Sequence, residues 1–261
     1  MYLIFFLICF IASVLGAICG IGGGIIIKPV LDAFGVISVT TISFLSGCTV
    51  LSMAGYTFIR SRLEGVSDIN VKTGTPLAIG AAFGGIAGKE LFVSLVSICT
   101  DKNMIGAIQA VCLFIITIGT LVYSLHKARI NTYQMTSPIM CLLLGSILGM
   151  LSSFLGIGGG PVNLVVLYYF FSMSTKVAAE NSLYIILFSQ ITSLISTVLS
   201  GNIPNFPLVL LVLMIAAGIA GGVCGRKLNK KINDKLIDKL CVYMMIFLIG
   251  INLYNIWKYL Q

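Results

Sequence analysis

Two short runs in this chain could do chemistry without a reactive side chain: Gly20-Ile21-Gly22-Gly23-Gly24 and Gly156-Ile157-Gly158-Gly159-Gly160. They lie in or beside stretches free of Asp, Glu, Lys and Arg, Leu3–Ile27 and Ile130–Thr175. Glycine clusters open the backbone, and at membrane depth the freed amides find no water, so such segments must be buried in protein or line a polar cavity. A helix restarting after Gly24 or Gly160 turns its unpaired N–H groups and its positive dipole end, about half an elementary charge, toward the break. The result is an anion site made of peptide, contributed by Gly22, Gly23, Gly24, Gly158, Gly159 and Gly160. Glycine lets the backbone turn sharply and approach a ligand closely. Pro161 suits the first turn of such a helix, or marks an ordinary kink.

Polar side chains near the breaks are few. Lys28 lies one turn beyond the first cluster, with Asp32 four residues later. A charge near the bilayer centre costs about 2.5–3.5 kcal/mol on insertion scales, so Lys28 either helps bind the anion, pairs with Asp32, or snorkels to the outer interface. Asn163 sits at the comparable place in the second half and either donates to the same ligand or joins two helices. Asn181, Ser182 and Gln190 follow the second cluster, and Ser46 corresponds to Ser182 at an offset of 136. These polar groups either line a path or pack helices. Glu180 could carry a coupling proton, or open a helix while paired with Lys176.

These residues must be positioned by membrane helices. Hydrophobic residues make up 58% of the 261 and charged residues 9%, and the mean hydropathy is +1.09, against about 25% charged in soluble domains. Charge-free stretches also run Ala33–Ile59, Asn103–His126, Asn181–Gly225 and Cys241–Trp257, and one span needs about 20 residues. The turn cluster from Asn202 to Pro207 splits the longest of them. The excess of 16 basic over 8 acidic residues collects in loops at 60–72, 127–129 and 226–239, as the positive-inside rule expects of cytoplasmic loops. Nucleic acid is therefore not the expected partner.

For 60–72 and 226–239 to share a side, an even number of crossings must separate them. The segments 73–98, 103–125, 130–156, 181–201 and 206–225 give five, and the short piece 161–175 gives a sixth. By the same logic 24–36 is a short crossing, so each half has five segments and the second is inserted upside down. The fold expected is all-α and polytopic, with two inverted repeats, each opening with a Gly-broken helix, and about eight full spans plus two short half-helices. The halves are 1–126 and 137–261, joined by a linker at 127–136. A second landmark supports the repeat: Gly84-Gly85-Ile86-Ala87-Gly88-Lys89 recurs as Gly221-Gly222-Val223-Cys224-Gly225-Arg226, which reads as a small-residue helix contact. The N-terminus lacks the basic region of a signal peptide and leads straight into the first glycine cluster, so it is expected to stay as an uncleaved span. The eight cysteines, Cys99 among them, lie in or at the ends of apolar segments without CxxC or a neighbouring His, and read as small buried hydrophobes.

GIGGGIIIKPVL at 20–31 and GIGGGPVNLVVL at 156–167, each opening one half, resemble the paired glycine signature of the sulfite exporter TauE/SafE family, and Ala179 to Gln190 resembles a branch of it. The resemblance implies secondary transport of a small anion, sulfur-containing or otherwise organic, across a bacterial cytoplasmic membrane. An anion channel is the alternative. An enzyme is not expected: His126, the only histidine, lies at a loop edge, and neither GxSG nor HExxH occurs. No cofactor or metal is expected. The partners are the anion and the bilayer; a coupling proton or cation and a homo-oligomer stay open.

Overall fold

The computed structural model describes residues 2–65, 69, 71–98 and 102–261. Its elements in chain order are α1 (Tyr2–Cys19), α2 (Gly24–Phe34), α3 (Val39–Leu63), α4 (Val71–Ile98), α5 (Lys102–His126), a 3-10 turn (Lys127–Arg129), α6 (Pro138–Leu155), α7 (Pro161–Phe171), α8 (Thr175–Leu199), α9 (Leu208–Lys231) and α10 (Asp234–Tyr259). Among the described residues there is no strand. Eight helices are long and apolar enough to cross a membrane. The other two, α2 and α7, have 11 residues each, about 16 Å at helical rise and half of a bilayer core. They are the two short segments expected after the glycine clusters.

Local signals set the ends of the short helices. Gly35 and Gly156 adopt left-handed conformations that close α2 and α6, and Pro161 occupies the first turn of α7. The Ser38 side chain accepts from the Thr41 amide and caps α3.

The closest helix approaches are made by glycine. A Cβ on Gly80, Gly84 or Gly88 of α4 would strike the carbonyls of Leu142, Ser146 and Met150 of α6 in turn, and Gly145 and Gly149 press equally close to Leu77 and Ala81. The contacts advance along both helices together, so α4 and α6 run parallel. In the same way Gly221 of α9 sits on Ser13 of α1 and Gly225 on Val14 and Ala17, while Asn229 donates to the Ile18 carbonyl at 2.6 Å. The paired GGxxG segments are thus helix contacts, as expected.

The contact pattern repeats at a shift of five helices. The α4–α6 and α4–α8 pairs correspond to α9–α1 and α9–α3, α2–α10 corresponds to α7–α5, and α5 packs on α10. One end of the bundle is basic and cross-linked: Glu64 takes Arg226 at 3.0 Å and also Lys230, Lys127 meets Asp238 at 2.6 Å, and Thr175 donates to Asp238 at 2.9 Å. Clusters 60–64 and 226–230 therefore share an end, as the parity argument required. Lys258 lies at the far end of α10, donating to the carbonyls of Asp32 and Ala33. The seven described cysteines are free thiols; Cys99 is outside the described residues.

Candidate functional site

The two glycine clusters cross one another. A Cβ on Gly22 would lie 3.0 Å from the Gly158 carbonyl oxygen, and one on Gly24 would run into the Ile157 carbonyl. Gly22 and Gly158 have φ of 76° and 67°, a region L side chains avoid. A Cβ on Gly158 would also come within 2.7 Å of Val50 Cγ1, and one on Gly159 would collide with Ile186. Val50 and Ile186 are equivalents at offset 136, each near the middle of its helix, α3 or α8. The flanking contacts are exchanged likewise: Gly20 presses on Ala179 and Gly156 on Ser43. Thus the amino ends of α2 and α7 reach one junction near mid-depth, bordered by opposite halves of the chain.

The candidate polar residues divide around this crossing. Lys28 is 0% exposed; its Nζ donates to Ser43 Oγ at 2.9 Å and to Gln109 Oε1 at 2.5 Å, and lies 3.4 Å from the position of a Cβ on Gly156. Gln109 in turn donates to the Phe154 carbonyl at 2.6 Å. Lys28 therefore neither snorkels nor forms an ion pair with Asp32. It is held on polar neutral groups against the second glycine cluster. Ser46 donates to the Gly156 carbonyl at 2.8 Å. Its equivalent, Ser182, receives the Asn163 amide at 3.3 Å, while Asn163 Oδ1 is buried without a partner. Lys28 and Asn163 thus engage different neighbours and do not converge on one group. Asn181 and Gln190 stand apart: Asn181 donates to the Val177 carbonyl at 2.8 Å and faces Gly74, and Gln190 faces Gly47.

Sequence reading missed two participants. Gln109 is an amide within an otherwise apolar stretch, which was the available signal. Arg226 read as a loop charge, yet its side chain is 12% exposed. It donates to the Thr57 carbonyl at 3.2 Å and borders a cavity of about 230 Å³ at the basic end, with Lys176, Glu180, Lys230 and Thr57. Ala17 and Ala179 also line this cavity. Since Ala179 packs on Gly20, the cavity reaches the back of the first glycine cluster. Ser61 hydrogen-bonds Glu180 there. At the rim, Lys230 and then Arg226 pull the Glu64 carboxyl down to about 2. The space beside Gly159, Gly160 and Asn163 is only about 10 Å³.

The family model described as "Sulfite exporter TauE/SafE" matches residues 5–253. The chain is similar to "Probable membrane transporter protein YunE" of Bacillus subtilis (strain 168), with 25% identity over 215 residues, 74% of this chain and 77% of that protein. No solved structure matches it.

Proposed function

We propose that this chain, which belongs to the sulfite exporter TauE/SafE family and is a multi-pass membrane transporter rather than an enzyme, is a secondary transporter moving a small, sulfur-containing anion across the cytoplasmic membrane by alternating access. One observation carries the reading: two short helices restart after glycine clusters that cross near mid-depth, closed to one end and approached from the other by a cavity edged with Arg226, Lys176 and Lys230. Helix amino ends and bare amides favour an anion there. Lys28, placed beside Gly156, adds a positive charge that the surrounding groups do not neutralise by ion pairing. Gly22–Gly24, Gly158–Gly160, Lys28, Ser46, Asn163 and Ser182 are the binding residues in this reading; Asn181 and Gln190 lie farther along the path.

Inverted repeats over 1–126 and 137–261 are supported by direction. Helix α5 finishes and α10 begins at the basic end, and so do α3 and α8, although each pair is equivalent. By the positive-inside rule the basic end is cytoplasmic, so the cavity opens inward. Such repeats let one frame be tilted two ways about a fixed midplane site. Glu180 lines the cavity, where its carboxylate accepts a hydrogen bond from Ser61.

The test is anion counterflow in proteoliposomes after a thermal-shift screen against sulfite, thiosulfate, sulfonates and carboxylates. A carrier shows uptake of labelled anion stimulated by unlabelled anion on the trans side. Flux without trans-stimulation would establish a channel instead.

A further inference from the structure

The cytoplasmic cavity has a collapsed twin on the other side of the crossing. Ala17, Thr57, Ala179 and Leu183 border the open cavity; Ser153, Ser193, Ser43 and Gly47, their equivalents at offset 136, border a space of about 20 Å³, room for about one water. Arg226 of the open cavity corresponds to Lys89 of the collapsed one at offset 137. The positions of Glu180 and Asn229 are taken by Phe44 and Phe92. Both phenylalanines are buried. Phe44 stacks on Phe206 of the loop before α9, with ring centroids 5.4 Å apart, and Lys89 Nζ lies over the Phe92 ring at 5.1 Å. Among the described residues no carboxylate forms an ion pair with Lys89, whereas Arg226 has Glu64.

We propose that this collapsed space is the outer vestibule of the transport path, that Phe44 and Phe92 are its gate, and that Lys89 receives the anion there as Arg226 does on the cytoplasmic side. The proposal rests on the alternating-access reading above. Four features argue for it. The two spaces are assembled from equivalent positions on equivalent helices, so the tilt that closes one opens the other. Both abut the crossing, through Ala179 against Gly20 on one side and Ser43 against Gly156 on the other. An unpaired cation held over an aromatic face keeps its charge available, and opening would exchange the ring for an anion. Phe44 and Phe92, both buried, narrow the outer side to about 20 Å³, the constriction an alternating carrier needs on its closed face.

Ser193→Cys and Thr57→Cys report the two vestibules. In sealed vesicles of known orientation, a membrane-impermeant methanethiosulfonate is added to one face at a time, with the parent protein's native cysteines as background. Thr57→Cys should react from the cytoplasmic face and Ser193→Cys slowly from the outer face. Phe92→Ala should raise the outer rate at Ser193→Cys about tenfold and lower the cytoplasmic rate at Thr57→Cys, as a shift between two populations requires. Should Phe92→Ala fail to reach the membrane, the milder Phe44→Leu should move both rates in the same directions. A Ser193→Cys that reacts only from the cytoplasmic face, or whose rate ignores both gate substitutions, overturns the proposal. Labelled sulfite and the other screened anions are followed in the same vesicles. Flux with Ser193→Cys silent from outside overturns the outer path and leaves the transporter standing; the expected labelling without flux of any screened anion supports the gate and overturns the assignment of a sulfur-containing anion as substrate.

Discussion

The two vestibules occupy equivalent places in the frame, yet one is an open cavity and the other has room for about one water. The open one presents Glu180, Asn229 and an Arg226 tied to Glu64, all groups that water solvates well. The closed one presents Phe44 and Phe92 at the matching places, with Lys89 resting on a ring. Repeated backbone thus sets where the two entrances lie, and side chains decide which stays shut at rest. A handful of substitutions should therefore move the balance between states without disturbing the crossing itself.

The largest effects should come from the crossing, which serves both states. Gly22→Ala and Gly158→Ala each force a Cβ into left-handed backbone, costing about 1–2 kcal/mol before any contact is counted, and the new atom meets the Gly158 carbonyl or Val50. Counterflow should fall at least about tenfold while membrane abundance, read by in-gel fluorescence of a fusion, holds. Normal counterflow in both variants would remove the crossing from the mechanism and make the vestibule comparison idle.

Lys28→Met comes next. It should weaken anion affinity about tenfold, as loss of a charged partner does, and also leave Gln109 Oε1 and Ser43 Oγ short of a donor. Adding Gln109→Leu removes the Oε1 orphan but takes the donor from the Phe154 carbonyl, so the double variant should regain little abundance and no affinity in a binding assay. Recovery of both would make Lys28 a packing device. The entrance charges sharpen the comparison directly. Arg226→Gln should raise the half-saturating concentration from the cytoplasmic face several-fold, and Lys89→Gln from the outer face, each about 1 kcal/mol or less given partial screening. Equal effects from both faces would dissolve the distinction.

The smallest effect is acid dependence. Glu64 is held down to about 2 against an ordinary 4.5 by Lys230 and Arg226. Its contribution is complete above the ordinary value and fades as pH falls through the folded one. Melting of the purified protein should drop between about pH 4.5 and 2, and Glu64→Gln should lose that part of the slope.

Much of this was legible in the residues. Short helices expected at 24–36 and 161–175 appear at Gly24–Phe34 and Pro161–Phe171, because glycine clusters, Pro161 and an apolar run too short to span are all local signals. The shared end of 60–64 and 226–230 followed from charge parity and is visible in the Glu64 pairs. What escaped depends on helix rotation. A basic residue ending a small-residue segment looks the same whether it marks topology or faces a cavity, and the packing of α9 on α1 and α3 turns Arg226 inward. The repeat did hold a clue, since GGxxG ends in Lys89 once and Arg226 once. Gly145 and Gly149 carry the GxxxG spacing of a helix contact and Gln109 is a lone amide in an apolar stretch, but neither signal names its partner; those roles exist only opposite α4 and Lys28.

The exchange of partners between halves also bears on biogenesis. Helix α1 finds its closest neighbour in α9, whose Gly221 and Gly225 seat against it, and most of the chain must be synthesised before that partner exists. Until then α1 has only weaker neighbours such as α2 and α3, and its run of apolar residues from Tyr2 to Cys19, broken only by Ser13 and Gly16, is well suited to waiting in lipid. The same delay leaves the glycine crossing unassembled until both halves have left the ribosome, so a truncated nascent chain holds no half-built anion site.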